Sequence, residues 1–203
     1  MFRAVSGRCA VVLSSLRLPI PDEKALATLT ALGFSVIEVD LVQLARSRVG
    51  VSKYRRGAGA ADTPETFDCS SFIKWLYAER GVWLPRRTIQ QIALGTAINT
   101  GDMLAGDVVF TTGRINYYYD DPTQGVGHVG IATGEGTVIH AANSRKGIIE
   151  SSLQDFLKEE TPRGVRRYVS QAATTITLET PLSREVESSD DLRWIILQQL
   201  PRP

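Results

Sequence analysis

Cysteine and histidine are both scarce in this chain, with two of each among 203 residues. The two cysteines, Cys9 and Cys69, are too few for a disulfide framework, which excludes the class of small disulfide-rich domains. They fit a reducing compartment, or a fold that does not need disulfides. The core must then come from apolar side chains, and 43% of the residues are hydrophobic, which is close to ordinary globular usage.

Charge of one sign and long apolar runs are lacking as well. The 23 basic and 22 acidic residues nearly cancel, so we expect no nucleic-acid partner. No apolar run approaches the ~18 residues that a transmembrane helix needs. The short apolar run at 9–13 is followed by Pro19 and Pro21 and not by a small-residue cleavage site, so we interpret it as part of the fold. The expected location is the cytoplasm, or outside it without a recognisable signal peptide, and the oligomeric state stays open.

Residues 66–81 predict a helix that carries the second cysteine near its start. The apolar positions of one helix face are Cys69, Phe72, Ile73 and Leu76. Asp68 is a suitable capping residue before the first turn, and Gly81 is a suitable stop after the last. In a first turn, free N–H groups and the helix dipole favour a thiolate, the nucleophilic form of cysteine. A free cysteine on an apolar stripe can equally be an inert core residue, so the helix alone leaves both interpretations open.

The other patterns predict helices that precede antiparallel strands, which indicates an α+β fold. Predicted strands lie at 10–16, 34–39, 106–111, 128–133, 137–143, 147–151, 164–170 and 174–178. Predicted helices lie at 23–32, 41–49, 88–92, 152–159 and 189–200, with Asp22, Asp40, Thr88 and Ser189 as capping residues of four of them. Loops are expected at 51–67 and at 112–127, and a turn at 99–105.

Three parts are expected along the chain: an N-terminal strand–helix–strand extension at 1–39, a catalytic domain at 40–170, and a C-terminal strand–linker–helix extension at 171–203. The two extensions share an order of strand, proline-containing turn and capped helix, which suits a weak repeat or two ends that pack together. Tyr117, Tyr118 and Tyr119 in the second loop either contact a ligand or pack on the body, and the sequence leaves this open.

Both histidines lie on one predicted hairpin, and the length of its loop decides whether they meet. If Thr133 pairs with Thr137 across a three-residue loop, His128 and His140 lie diagonally on one face of the sheet. A two-residue loop would place them on opposite faces. Histidine is the usual base for a cysteine nucleophile, and it needs an orienting partner on its other ring nitrogen. With the cysteine, these histidines could instead bind zinc, but no fourth ligand has metal-site spacing, so no metal is expected.

Several segments together resemble the NlpC/P60 cysteine peptidases. They are 67–72, 81–91, 104–110, 127–132 and 138–141, in order, within a match that covers roughly 40–169. The resemblance implies a papain-like α+β fold, in which the cysteine helix packs on an antiparallel sheet, and no cofactor. It implies Cys69 as nucleophile, His128 as base and His140 as the orienting residue. The implied activity is hydrolysis of peptidoglycan stem peptides, at the L-Ala–γ-D-Glu or the γ-D-Glu–diaminopimelate bond, with peptidoglycan peptide fragments as the partners.

The resemblance also implies substrate contacts beside the cysteine. Tyr54 matches a tyrosine that lies next to the oxyanion site in the family. In members that cut after an N-terminal L-Ala, this tyrosine holds the free amine together with an aspartate and a serine. Asp68 and Ser70 match those two positions, and a carboxylate with two hydroxyl groups suits an ammonium ion.

The chain departs from the family pattern on both sides of this site. Ser71 stands where the family usually has glycine, and Arg55 and Arg56 stand where it tends to Trp-Gly. The two arginines are expected either to pair with carboxylates of D-glutamate or diaminopimelate, or to lie on the solvated surface. Two other functions remain open: an amidase or acyltransferase on a related papain-like fold, and a non-catalytic binding protein that keeps the fold.

Overall fold

The computed structural model describes residues 1–115, 117–158, 160–170 and 174–201. The chain divides into two compact units. The first combines residues 1–39, 77–83 and 169–203, and the second combines 40–76 and 84–168. Within the described residues, no helix has the length and apolar character needed to cross a membrane.

Helices and short β-strands are mixed in the first half of the chain, and consecutive β-strands dominate the second half, with antiparallel pairing in the two larger sheets. The strands are β1 (Arg8–Val11), β2 (Ser35–Ile37), β3 (Lys53–Tyr54), β4 (Thr66–Phe67), β5 (Thr96–Ile98), β6 (Val108–Thr111), β7 (His128–Ala132), β8 (Thr137–Asn143), β9 (Gly147–Ser152), β10 (Pro162–Arg167) and β11 (Ile176–Glu179). The α-helices are α1 (Asp22–Ala31), α2 (Leu41–Arg46), α3 (Cys69–Glu79), α4 (Thr88–Gln91), α5 (Leu153–Lys158) and α6 (Ser189–Leu197).

The first unit joins the two ends of the chain in one sheet. Its strand order is β1-β11-β2, with antiparallel pairing that sets Cys9 opposite Leu178. The core of this unit consists of buried apolar side chains from the sheet and its helices: Cys9, Val11, Leu16, Ala25, Leu29, Phe34, Leu178, Leu192 and Ile196. Of the two interpretations of the similar termini, the structure therefore shows the one in which they pack together. Burial also raises the pKa of the Cys9 thiol to about 12, as befits an inert core residue.

The end of α3 belongs to this first unit and explains the glycine that follows it. Gly81 has φ +74°, a left-handed conformation that glycine adopts without strain. A Cβ at this position would lie 2.7 Å from the backbone nitrogen of Ala10, so β1 passes too close for any larger residue. The carbonyl of Gly81 accepts a hydrogen bond from that same nitrogen at 2.9 Å. The predicted helix stop is thus also a contact with a strand.

The second unit is built on a six-stranded antiparallel sheet. Its order is β5-β10-β6-β7-β8-β9, so the two histidine-bearing strands are neighbours near one edge. One side of this sheet packs on α5 through a cluster of Val109, Ala132, Val138, Phe156 and Val165. The α+β class expected from the order of helices and strands is confirmed.

Several expectations about local structure were wrong. The segment 51–67 is not a plain loop, because β3 and β4 pair there in parallel. β5 occupies residues for which no strand was predicted, and β1 ends at Val11, where a 3-10 helix (Leu13–Leu16) follows. Strands of two or three residues are too short to show a period in the sequence. The predicted positions Asn116, Glu159, 171–173 and 202–203 lie outside the described residues.

Of the four capping predictions made for helices other than the cysteine helix, one is confirmed. The Asp40 side chain accepts from the backbone N–H groups of Val42 and Gln43 at 2.9 and 3.0 Å, as an N-cap does. Asp22, Thr88 and Ser189 are instead the first residues of their helices. Pro21 occupies the cap position before Asp22. The hydroxyl groups of Thr88 and Ser189 form long-range hydrogen bonds instead. Thr88 donates to the carbonyl of Val126 at 2.8 Å, and Ser189 accepts from the N–H of Phe2 at 3.2 Å.

Candidate active site

The nucleophile candidate stands at the first position of α3. The carboxylate of Asp68 accepts from the backbone N–H of Ser71 at 2.8 Å, and the hydroxyl of Ser71 accepts from the N–H of Asp68 at 2.9 Å. This reciprocal cap starts the helix at Cys69. Phe72, Ile73 and Leu76 are fully buried, so the apolar stripe anchors the helix. Cys69 itself is only partly buried, at the end of that stripe.

The hairpin brings the two histidines into contact. Ile131 is paired with Ile139, and the N–H of Thr133 donates to the carbonyl of Thr137 at 3.1 Å, so the loop has the predicted three residues. Nε2 of His128 and Nδ1 of His140 are 2.8 Å apart. The expectation that the two rings share one face is confirmed.

A glycine in β7 makes room for this pair. A Cβ on Gly130 would lie 2.4 Å from Cγ1 of Val138 and 3.0 Å from Cβ of His140. Since real Cβ atoms do not approach so closely, any larger residue would displace β8 and the histidine on it. Gly130 is therefore a positioning residue of the site, and it was not singled out from the sequence.

Two more residues that sequence analysis missed hold the histidine rings. Ser151 on β9 places its hydroxyl oxygen 3.1 Å from Nε2 of His140, which gives that ring a partner on each nitrogen. The ring of Phe156 lies 5.4 Å from that of His128 and 4.9 Å from that of His140, between centroids. Alternation along β9 could have placed Ser151 on the correct face, but the pairing of β9 with β8 was not predicted.

Cys69 and the histidines line one cavity of about 640 Å³. The thiol lies 3.8 Å from the carbonyl oxygen of Gly127, the residue before His128. Tyr54, Asp68, Ser70 and Arg56 line the same cavity, so most of the expected site residues are brought together. Arg55 does not line it; its side chain is exposed and forms an ion pair with Asp62.

The matched segment of the chain decides its family. The model of the NlpC/P60 family matches residues 51–167, which is more than half of the chain and includes every cavity residue named above. The chain belongs to the NlpC/P60 family.

Named relatives align with part of this chain. A probable endopeptidase of Corynebacterium glutamicum is 40% identical over 113 residues, which are 56% of this chain and 47% of the relative. A gamma-DL-glutamyl hydrolase of Bacillus subtilis is 31% identical over 149 residues, 73% of this chain and 33% of the relative. The chain thus spans less than half the length of these relatives.

Solved structures support the papain-like α+β fold of the family. NlpC1 from Trichomonas vaginalis superposes with a TM-score of 0.54 at 25% identity, over 64% of this chain and 44% of that one. The NlpC/p60 domain of the peptidoglycan hydrolase SagA gives 0.50 at 29% identity, over 63% of this chain and 96% of that domain.

The resting charge state of this NlpC/P60 site differs from the one expected at a helix start. Burial raises the pKa of the Cys69 thiol to about 12, and the negative charge of Asp68 adds to the shift. Hydrogen bonds from the N–H groups of Ser70 and Cys69 act in the opposite direction but are outweighed. The position at a helix start therefore does not by itself decide the charge state of the thiol, because it does not reveal how far the sulfur is desolvated.

Both histidines are neutral for the same reason. Burial lowers the pKa of His140 to about 3, with a further contribution from the His128 beside it. Burial also lowers the pKa of His128, against the charge of Glu160. Each of these shifts reflects the cost of charging one group alone. A proton passed from Cys69 to His128 creates two opposite charges at once, which stabilise each other in a site of low dielectric.

Asp68 carries its negative charge in an ion pair. Burial alone would raise the pKa of its carboxyl group, but the Arg86 guanidinium and the N–H of Ser71 outweigh burial and lower it. Two nitrogens of Arg86 contact two oxygens of the carboxylate, at 3.1 and 2.5 Å. Arg86 lies in a segment that resembles the family, yet its partner could not be read from the sequence.

Further cations line the cavity around one tyrosine of the long loop. Nη2 of Arg56 donates to the hydroxyl of Tyr117 at 3.2 Å, and the guanidinium carbon of Arg87 lies 5.7 Å from the centroid of that ring. Tyr117 lines the cavity, whereas Tyr118 and Tyr119 are exposed. Among the residues that the structure describes, no cluster of three or more His, Cys, Asp and Glu side chains is arranged to hold a metal ion.

Proposed function

We propose that this protein is a cysteine peptidase that hydrolyses peptidoglycan stem peptides, at the L-Ala–γ-D-Glu or the γ-D-Glu–diaminopimelate bond. The observation that carries the proposal is the contact between His128 and His140 in the cavity that Cys69 lines. A thiol, a base and an orienting group are the set that nucleophilic catalysis by cysteine requires.

The hydrogen-bond partners of His140 allow two arrangements of the protons, and only one of them gives the site a base. Its Nδ1 meets Nε2 of His128, and its Nε2 meets the hydroxyl of Ser151. If His140 carries its proton on Nε2 and donates to Ser151, then Nδ1 accepts from Nε2–H of His128. This arrangement leaves Nδ1 of His128 with a lone pair that can accept a proton. In the opposite arrangement, Nδ1 of His128 carries the proton and the site has no base.

The reaction then proceeds in balanced proton steps. The Cys69 thiol passes its proton to Nδ1 of His128 as sulfur attacks the scissile carbonyl carbon. His128 returns the proton to the departing amine as the C–N bond breaks, which leaves an acyl-enzyme. Water, deprotonated by the same nitrogen, releases the acid product and the thiol. The backbone N–H of Cys69 and the hydroxyl of Tyr54 are our candidates for stabilising the oxyanion.

Charge supports the choice of substrate. Stem peptides carry carboxylates on D-glutamate and diaminopimelate, and the cavity lining includes Arg56, Arg87, Arg114 and Lys146. No ion pair with an acidic side chain is formed by these four within the described residues. Guanidinium groups bind carboxylates well, because they offer paired donors in one plane.

Named relatives support the same substrate class. A peptidoglycan DL-endopeptidase of Bacillus licheniformis is 34% identical over 128 residues, and a gamma-D-glutamyl-L-lysine dipeptidyl-peptidase of Bacillus subtilis is 30% identical over 105 residues. The two alignments cover 61% and 52% of this chain, but only 26% of the first relative and 33% of the second.

The test is incubation with defined muropeptides and mass analysis of the products. We expect cleavage at one of the two bonds, with one water added per cleavage. Cys69→Ala should abolish turnover with the fold intact, whereas Cys9→Ala, which removes the buried thiol of the first unit, should keep it. Transfer of the acyl group to an acceptor other than water would favour the acyltransferase alternative. Undiminished turnover in Cys69→Ala would contradict the mechanism.

A further inference from the structure

The carboxylate of Asp68 has its acceptor capacity filled by the protein itself. Its Oδ1 accepts from the N–H of Ser71 at 2.8 Å, from the hydroxyl of Ser70 at 3.2 Å and from Arg86 at 3.1 Å. Its Oδ2 accepts from the N–H of Gly57 at 3.1 Å and from Arg86 at 2.5 Å. A carboxylate has about four acceptor positions, and five donor contacts already surround this one. A substrate ammonium group would find no free oxygen lone pair there.

Arg86 is held in this position by bonds to other groups as well. Its Nη1 donates to the hydroxyl of Ser70 at 2.8 Å, and its Nη2 donates to the carbonyl of Ala58 at 2.7 Å. The hydroxyl of Ser70 thus accepts from Arg86 while it donates to Asp68. Two of the three polar groups that the family resemblance assigned to a free amine, Asp68 and Ser70, are therefore engaged with this guanidinium.

The side of the ion pair that meets the solvent is the positive one. The Arg86 side chain is 37% exposed to solvent, whereas that of Asp68 is 10% exposed. The cavity lining as a whole carries five basic side chains, Arg56, Arg86, Arg87, Arg114 and Lys146, against the acidic Asp68, Asp155 and Glu160. A ligand group that approaches the first turn of α3 from the cavity meets a guanidinium in a positively charged surrounding.

We propose that Arg86 determines specificity by excluding substrates with a free amino terminus and favouring stem peptides whose L-Ala nitrogen is acylated. The acyl oxygen of such a peptide can accept from the guanidinium, whereas an ammonium group is repelled by it. The L-Ala terminus lies on the acyl side of either proposed bond, so the same pair of peptides tests the inference whichever bond is cut. It rests on the proposed function and adds the terminal group that this chain accepts.

The test compares two peptides that differ only at the terminus: L-Ala-γ-D-Glu-diaminopimelate and its N-acetyl form. For the wild-type chain we expect kcat/KM to be at least about tenfold higher for the acetylated peptide, since like charges at close range disfavour a wrong ligand by that order or more. Arg86→Gln frees the Asp68 carboxylate and removes the positive charge. This variant should lose the preference or reverse it, whereas Arg86→Lys should keep the preference in part.

Two controls separate specificity from stability and net charge. Arg145→Gln removes one positive charge from an exposed turn outside the cavity, and should leave the ratio unchanged. Each variant is also prepared with Cys69→Ala, and the dissociation constants of both peptides are measured by calorimetry. Binding to this inactive form reports the terminal preference without any turnover.

The outcomes distinguish this inference from the proposed function. Absence of cleavage together with tighter binding of the acetylated peptide, lost in Arg86→Gln, would support the inference and overturn the proposed function. Cleavage of the free peptide at an equal or higher rate by the wild type would overturn the inference alone. An equal loss for both peptides in Arg86→Gln would do the same, because it would show a structural role only. Failure to bind or cleave either peptide would overturn both.

Discussion

Nε2 of His128 and Nδ1 of His140 lie 2.8 Å apart, although the two histidines are twelve positions apart in the chain. A three-residue hairpin loop, a glycine opposite His140 and the ring of Phe156 together produce this distance. The contact occupies Nε2 of His128 and leaves Nδ1 for the proton transfer that we propose. Much of the expected behaviour of the site follows from it.

His140→Ala should lower kcat by about a hundredfold and leave KM nearly unchanged, because it removes the group that orients the base and not a substrate contact. His140→Asn keeps an acceptor close to the position of Nδ1 and should retain more activity. Ser151→Ala removes only the hydrogen bond to Nε2 of His140 and should lower kcat less than either His140 variant. Steady-state kinetics on a defined muropeptide separates the two constants. A rise in KM at unchanged kcat would show that His140 binds substrate instead.

The acidic limb of the kcat/KM profile should lie below pH 6.5, the usual pKa of histidine. Burial lowers the pKa of His128, so this base stays neutral and active at a pH where an exposed histidine is protonated. Phe156→Ala would admit water to both rings and should move the limb upward, toward the ordinary value. A limb at or above 6.5 in the wild-type chain would contradict a buried neutral base.

Local patterns explain why some parts of the site could be predicted from the sequence. The cap and the stripe of α3 depend on residues within one helix, and the contact of the histidines depends on one hairpin. Arg86 is different, since its carboxylate partner lies 18 residues away and the meeting depends on the tertiary fold. The raised pKa of Cys69 could not be predicted from the sequence either, because desolvation of a thiol depends on everything packed around it.

Stability should fall on acidification because His140 is buried in its neutral form. The pKa of His140 is about 3 in the folded chain and near 6.5 when unfolded. Between these values the unfolded chain binds a proton that the folded chain does not, so the free energy of unfolding decreases as the pH falls, by up to about 1.4 kcal/mol per pH unit. Above pH 6.5 this group makes no pH-dependent contribution.

Urea unfolding at a series of pH values from 7 to 4 measures this slope. His140→Asn removes the titrating ring and should flatten the part of the slope that His140 causes. An identical slope in the variant would show that carboxyl groups alone account for the acid sensitivity.

Arg56 and Arg87, the two arginines that contact Tyr117, should keep KM low. Arg56→Gln and Arg87→Gln each remove a cation from the cavity lining, so we expect KM for an anionic stem peptide to rise by about tenfold, with kcat nearly constant. The increase should shrink at high salt, because exposed charge pairs are screened. Arg55→Gln is the matched control: this neighbouring arginine pairs with Asp62 and does not line the cavity. Equal effects at positions 55 and 56 would point to long-range attraction by net charge, and the carboxylate contact at Arg56 would then be wrong.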